Sequence, residues 1–136
     1  MDDVITYLLN LAFENKIAYE LTSELSPYTP SLADSESRKV IINLNWHNKK
    51  ELPFQIAHEI SHLLNGDEGI SYYSSFSNKS KYECGANVTA IDLLIKYYED
   101  NFIFNEINPV QFMECFGIPI NLEYQVTDCI NETFGI

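Results

Sequence analysis

The chain has 136 residues, 46% of them apolar, and carries a formal net charge of −12. That length fits a single domain, taken here as residues 1–136, and the apolar share excludes a disordered chain. The acidic balance excludes direct nucleic-acid binding, because it repels phosphates, while it favours solubility and can attract a basic protein.

Residues 4–13 place Val4, Tyr7, Leu8, Leu11 and Ala12 at helical spacing. Residues 17–22 read as a short strand. Residues 26–37, with Pro27, Pro30 and scattered serines, read as a loop. The β-branched run in residues 38–45 predicts a strand, and residues 46–50 are polar and turn-like. Pro53 suits the first turn of a helix, where its missing N–H costs little, and Gly66 stops that helix after Asn65. Residues 67–78, with Gly69 and several serines, read as a loop, and residues 79–99 as a long helix. Pro109 opens a short helix through Phe116, broken by Gly117 and Pro119, and residues 122–133 form a last helix. Strands come early and helices dominate late, so the fold class is α+β, a small sheet packed by helices.

The acidic start lacks a small-residue cleavage site and does not read as a signal peptide. No apolar run is long enough to predict a membrane span. Cys84, Cys115 and Cys129 are odd in number, with no Cys-x-x-Cys, as expected of free thiols in a reducing compartment. These features predict a cytoplasmic protein.

The chemistry is carried by His58-Glu59-Ile60-Ser61-His62. Residues four apart share one helix face, so both imidazoles can reach one metal ion. Ile56, Ile60, Leu63 and Leu64 form an apolar stripe, and Gln55, His58, Glu59 and His62 form the opposite one. The ligands are therefore expected to look into a cleft while the back of the helix seals the core. Neutral imidazole suits zinc, a catalytic site leaves one position open for water, and the ion lowers that water's pKa to about 7. Glu59 is placed to take the proton and pass it to the leaving amine.

A third protein ligand is required, and two residues compete for the role. Glu83 opens the next helix, whose small residues Ala86 and Ala90 let it lie close to the first. Glu68 stands where the extended HExxHxxGxxH pattern puts its third ligand, but Asn65 replaces the expected glycine and Glu68 the expected histidine. Two histidines with one glutamate form an established catalytic set, which favours Glu83. As a bare feature, Glu83 also suits a helix N-terminus.

With these residues in hand, the chain resembles the ImmA/IrrE family of metallopeptidases. The resemblance rests on LPFQIAHEISHLLNGD, on the Glu-x-x-Ala-Asn signature at residues 83–87, and on the strand RKVIINLN, and it covers roughly residues 38–95. It implies a minimal gluzincin-like fold, metal binding by His58, His62 and Glu83, and catalysis by Glu59. It also implies a protein substrate, commonly a helix-turn-helix repressor encoded nearby in a phage or mobile element. Many members follow the signature with Leu-Leu-Met-Pro. Here Asp92-Leu93-Leu94-Ile95-Lys96 lacks the proline, so the helix is expected to run longer and the substrate groove to differ.

Asn87, one turn after Glu83, suits either support of a ligand or anchoring of its helix. Tyr72, Tyr73 and Tyr82 are candidates to stabilise a tetrahedral oxyanion, although in a chain with nine tyrosines packing is the simpler account of each. His47 is expected at the surface, Cys84 is expected to face away from the metal, and Ser61 has no assigned chemistry. Two functions fit these features: a zinc endopeptidase acting on a regulatory protein, and a non-catalytic anti-repressor that sequesters it. The presence of Glu59 favours the first.

Overall fold

Val4, Ile5, Leu8, Leu9 and Ala12 are the buried stripe of α1 (Asp3–Glu14). Tyr7 and Leu11 only flank that stripe. The computed structural model describes residues 3–73, 81–101 and 107–135. After α1 come β1 (Ala18–Thr22), β2 (Leu32–Asp34), β3 (Lys39–Asn43), α2 (Leu52–Leu64), β4 (Ile70–Tyr72), α3 (Lys81–Asn101), α4 (Pro109–Phe116) and α5 (Glu123–Phe134). Single 3-10 turns at Lys49–Glu51 and Ile120–Leu122 lead into α2 and α5. The architecture is α+β, with a mixed sheet of four strands in the order β1-β3-β2-β4. β1 runs parallel to β3, whereas β2 runs antiparallel to both β3 and β4.

Two strands fall where loops were expected. β2 lies within residues 26–37 and β4 within residues 67–78. Each spans three residues, too short for alternation to show, and β4 is made by pairing with β2 rather than by its own composition. The remainder of the second segment, residues 74–78, lies outside the described residues, as do residues 79 and 80, where the following helix was expected to start.

The sheet presents one face to α2. Val40 pairs with Ala33, which in turn pairs with Ser71, and Val40 and Ala33 are buried beneath the helix layer. Val40, Ile42, Ile56 and Ile60 sit in the core without solvent contact, each contributing roughly 1.5–3 kcal/mol of apolar burial. α3 packs along α2, and Ala86 and Ala90 are fully buried. As the missing proline allows, α3 continues through residues 92–96 to Asn101.

The ends of α2 are fixed by specific contacts. Its C-terminus closes with Gly66 at φ +75° while the Gly66 and Asp67 amides donate to the carbonyls of Leu63 and His62. Arg38, in the β2–β3 turn, donates from its guanidinium to the carbonyls of Leu63 and Asn15, tying α2 and α1 to the sheet. At the other end, Gly117 closes α4 at φ +70° against the turn that leads into α2, and a Cβ there would run into the Lys50 carbonyl oxygen.

Candidate metal centre

The polar stripe of α2 does not face open solvent. Every residue of the helix except Leu64 is buried, including Gln55, His58, Glu59 and His62. The sheet covers one side and α3 the other, so the expected cleft is a narrow seam between α2 and these two elements. Glu83, in the first turn of α3, closes the seam. Its Oε2 lies 2.9 Å from His58 Nε2, and its Oε1 lies 3.2 Å from His62 Nε2. The two imidazole Nε2 atoms are 3.2 Å apart. Ligands 2.0–2.2 Å from a tetrahedral zinc ion stand about 3.3 Å from each other, so this spacing fits one small cation.

Among the described residues, His58, His62 and Glu83 form the one group of three such side chains able to converge on a metal ion. Glu68 is exposed at the rim and lies outside this group. His47 is also remote from it. That imidazole stacks on Tyr28 at 4.9 Å and contacts the Pro27 carbonyl through Nδ1 at 3.1 Å. Cys84 is not part of the group, and Asn87 is buried on α3.

Two partners of this group were not singled out from the sequence. Asp67 Oδ2 lies 2.9 Å from His62 Nδ1, the ring nitrogen turned away from Glu83. A carboxylate there selects the tautomer whose Nε2 lone pair can face a cation. Ser71 Oγ lies 2.9 Å from His62 Nε2 and donates to Glu83 Oε1 at 3.1 Å. A signal for Asp67 does exist in the sequence. It directly follows the glycine that stops the helix, and that turn folds it back towards the last ring. Ser71 has no such local signal, because its position depends on β4 pairing with β2.

The electrostatics follow from this geometry. Burial opposes charge on His62, but hydrogen bonds to Glu83 and Asp67 outweigh it and hold the pKa above its ordinary 6.5. Burial likewise opposes charge on Glu83, yet hydrogen bonds from both histidines hold its carboxyl well below the usual range. Glu59 moves in the opposite direction. Burial, reinforced by the charge of Glu83, pushes its carboxyl well above the ordinary value. Both Glu59 oxygens are buried without a hydrogen-bond partner. A carboxyl in that state is costly unless a bound molecule supplies the missing bond.

The three tyrosines divide. Tyr72 and Tyr82 are exposed and line a cleft of about 320 Å³ together with His62, Ser71 and Glu83. Tyr73 is buried, edge-on to the His58 ring at 5.7 Å, with its hydroxyl unpartnered. Burial, with the nearby Glu51 and Glu59, raises its pKa and keeps it protonated. A neighbouring cavity of about 560 Å³ is lined by four acidic residues, Asp34, Glu36, Asp67 and Glu68, and one basic residue, Arg38.

Residues 17–109 match the Peptidase_M78 family, described as the IrrE N-terminal-like domain. The chain belongs to this family. No curated protein and no solved structure matches it. Membership in the M78 family gives the His58–His62–Glu83 cluster its context, a peptidase fold with residues able to hold a metal ion. It also implies a protein substrate. No helix among the described residues is long and apolar enough to cross a membrane.

Proposed function

We propose that this chain is a zinc-dependent endopeptidase that cleaves a cytoplasmic regulatory protein, a helix-turn-helix repressor of the phage or mobile-element kind. The observation that carries the reading is the convergence of His58, His62 and Glu83 on one point, with the buried, unpartnered carboxyl of Glu59 close enough to feel the charge of Glu83. In this reading His58, His62 and Glu83 hold the ion. When bound, zinc supplies Lewis acidity that acidifies a water molecule and polarises the scissile carbonyl.

The side chains account for the rest of the chemistry. Glu59 follows the first ligand on the same helix, and burial raises its pKa, which makes its carboxylate a stronger proton acceptor than an exposed one. It takes the proton of the attacking water and delivers it to the departing amine. Asp67 keeps the His62 ring in its ligating tautomer. Enclosure of the α2 side chains beneath the sheet and α3 limits access of bulk water, which strengthens each of these interactions. Support for the substrate comes from the family resemblance and from charge. A chain with net charge −12 and an acid-lined cavity beside its cleft suits a basic partner, and DNA-binding proteins carry basic surfaces.

The test is to incubate the zinc-loaded protein with the helix-turn-helix regulator encoded beside its gene and follow intact masses. Glu59→Gln and a chelated sample run in parallel. A pair of complementary fragments with wild type alone is the expected result. A stable complex with both wild type and Glu59→Gln, and no fragments, would replace cleavage with sequestration.

A further inference from the structure

His58 and His62 are held in mutual position by one helix. Glu83 arrives from another helix on a longer, more flexible side chain, so a contact that fixes its carboxylate bears on the whole group of three. Ser71 lies at that point. The β2–β4 ladder sets its direction: Ser71 pairs with Ala33, and the pair is bracketed by the bonds Tyr73 N–H to Ser31 O and Ser35 N–H to Gly69 O. Side chains alternate along a strand, so Ser71 faces α2 with Ala33 while Ile70 and Tyr72 face outward. Serine has one rotatable bond before its hydroxyl, and the ladder fixes its Cα.

The proton count is restrictive. The hydroxyl has one hydrogen, which it gives to Glu83 Oε1 at 3.1 Å, since a carboxylate only accepts. Its oxygen then accepts from His62 Nε2 at 2.9 Å while that nitrogen carries a proton. A cation at His62 Nε2 would displace that proton and end the second bond, while the bond to Glu83 does not depend on it.

We propose that Ser71 is a positioning residue of the metal centre, whose hydroxyl holds the Glu83 carboxylate turned towards the two histidines. The inference rests on the reading that His58, His62 and Glu83 bind a divalent cation. Ser71 acts through Glu83 and not on the substrate. A hydroxyl is required at this position, because a merely small side chain would leave Glu83 Oε1 without this donor.

Zinc affinity of the intact protein, read by competition with a chromophoric chelator near neutral pH, tests the inference. Ser71→Ala is expected to weaken zinc binding about tenfold, and Ser71→Thr, which restores the hydroxyl on a strand-compatible side chain, to stay within about threefold of wild type. Ser71→Ala binding as tightly as wild type would overturn the inference. So would a loss in Ser71→Ala that Ser71→Thr fails to restore, since strand packing and not the hydroxyl would then set the affinity. Wild type failing to bind zinc at all would overturn the three-ligand reading and this inference with it, and it is visible before any Ser71 variant is made.

Discussion

The two walls of the seam are built differently. The α2 wall is buried along nearly its whole length, and its reactive groups are enclosed among apolar neighbours such as Phe54, Ile56 and Ile60. The opposite wall, β4 and the first turn of α3, is open to solvent, with Ile70, Tyr72 and Tyr82 all more than half exposed. Burial on the first wall shifts protonation equilibria and fixes geometry. Exposure on the second offers surface that a polypeptide can touch. Under the proposed function the difference divides chemistry from recognition, with Glu83 and Ser71 reaching across from the second wall to the first.

The largest expected effect probes the buried wall. Glu59→Gln should lower the cleavage rate by roughly 10²–10⁴-fold, the usual contribution of a positioned general base, in a single-turnover assay. The same change should raise the melting temperature of the chelated protein near neutral pH, by a few degrees for about 1 kcal/mol, because Gln does not ionise and so escapes the cost of keeping the buried carboxyl above its ordinary pKa. Loss of stability in place of gain would mean that Glu59 has a structural partner.

Next in size is the support of His62. Asp67→Asn removes the charge that fixes the imidazole and should weaken zinc binding about tenfold, measured by chelator competition. Unchanged affinity would show that the buried wall holds its ligand without that carboxylate.

The pH dependence should have opposite signs with and without the ion. In the chelated protein the folded pKa of His62 is raised, so its stabilising contribution is complete below the ordinary 6.5 and is lost as pH rises through the folded value. Glu59, also raised, removes stability as pH climbs above its ordinary 4.5, because the unfolded chain ionises first. Glu83 is depressed, so its contribution is present above 4.5 and is lost only as pH falls through the folded value. The melting temperature of the chelated protein should therefore decline from mildly acidic to mildly basic pH. Zinc must displace the His62 proton, so its affinity should rise over the same range, by up to about tenfold per pH unit below the His62 pKa. Melting curves with and without zinc across that range check both signs.

The smallest effect belongs to the exposed wall. Tyr72→Ala should raise KM for the protein substrate about threefold to tenfold, the value of a lost aromatic contact, and leave zinc affinity unchanged. A change in zinc affinity would dissolve the division between the walls.

The grouping of His58, His62 and Glu83 was legible in the sequence because helical spacing alone brings the two histidines together, and the small residues after Glu83 mark a helix that can approach them. The helices and β3 were legible for the same reason, since long periodic or β-branched runs reflect local preference. β2 and β4 were not, because three residues carry no period and a pairing partner decides their conformation. Ser71 was hidden with β4. The complete burial of α2 was hidden as well, since its polar stripe resembles a solvent face until Glu83, Asp67 and Ser71 are seen to meet it. Tyr73 differs from Tyr72 and Tyr82 only through its place beneath the sheet edge, which no spacing rule distinguishes.

Asp67 contacts His62 twice, through its backbone amide to the carbonyl and through its carboxylate to the ring. Fraying of the last turn of α2 would therefore loosen the backbone and the imidazole together. Whatever occupies the imidazole's other nitrogen thus acts as a clasp on the end of the helix, and the lifetime of the Asp67 amide against exchange with solvent becomes a local record of whether that clasp is shut.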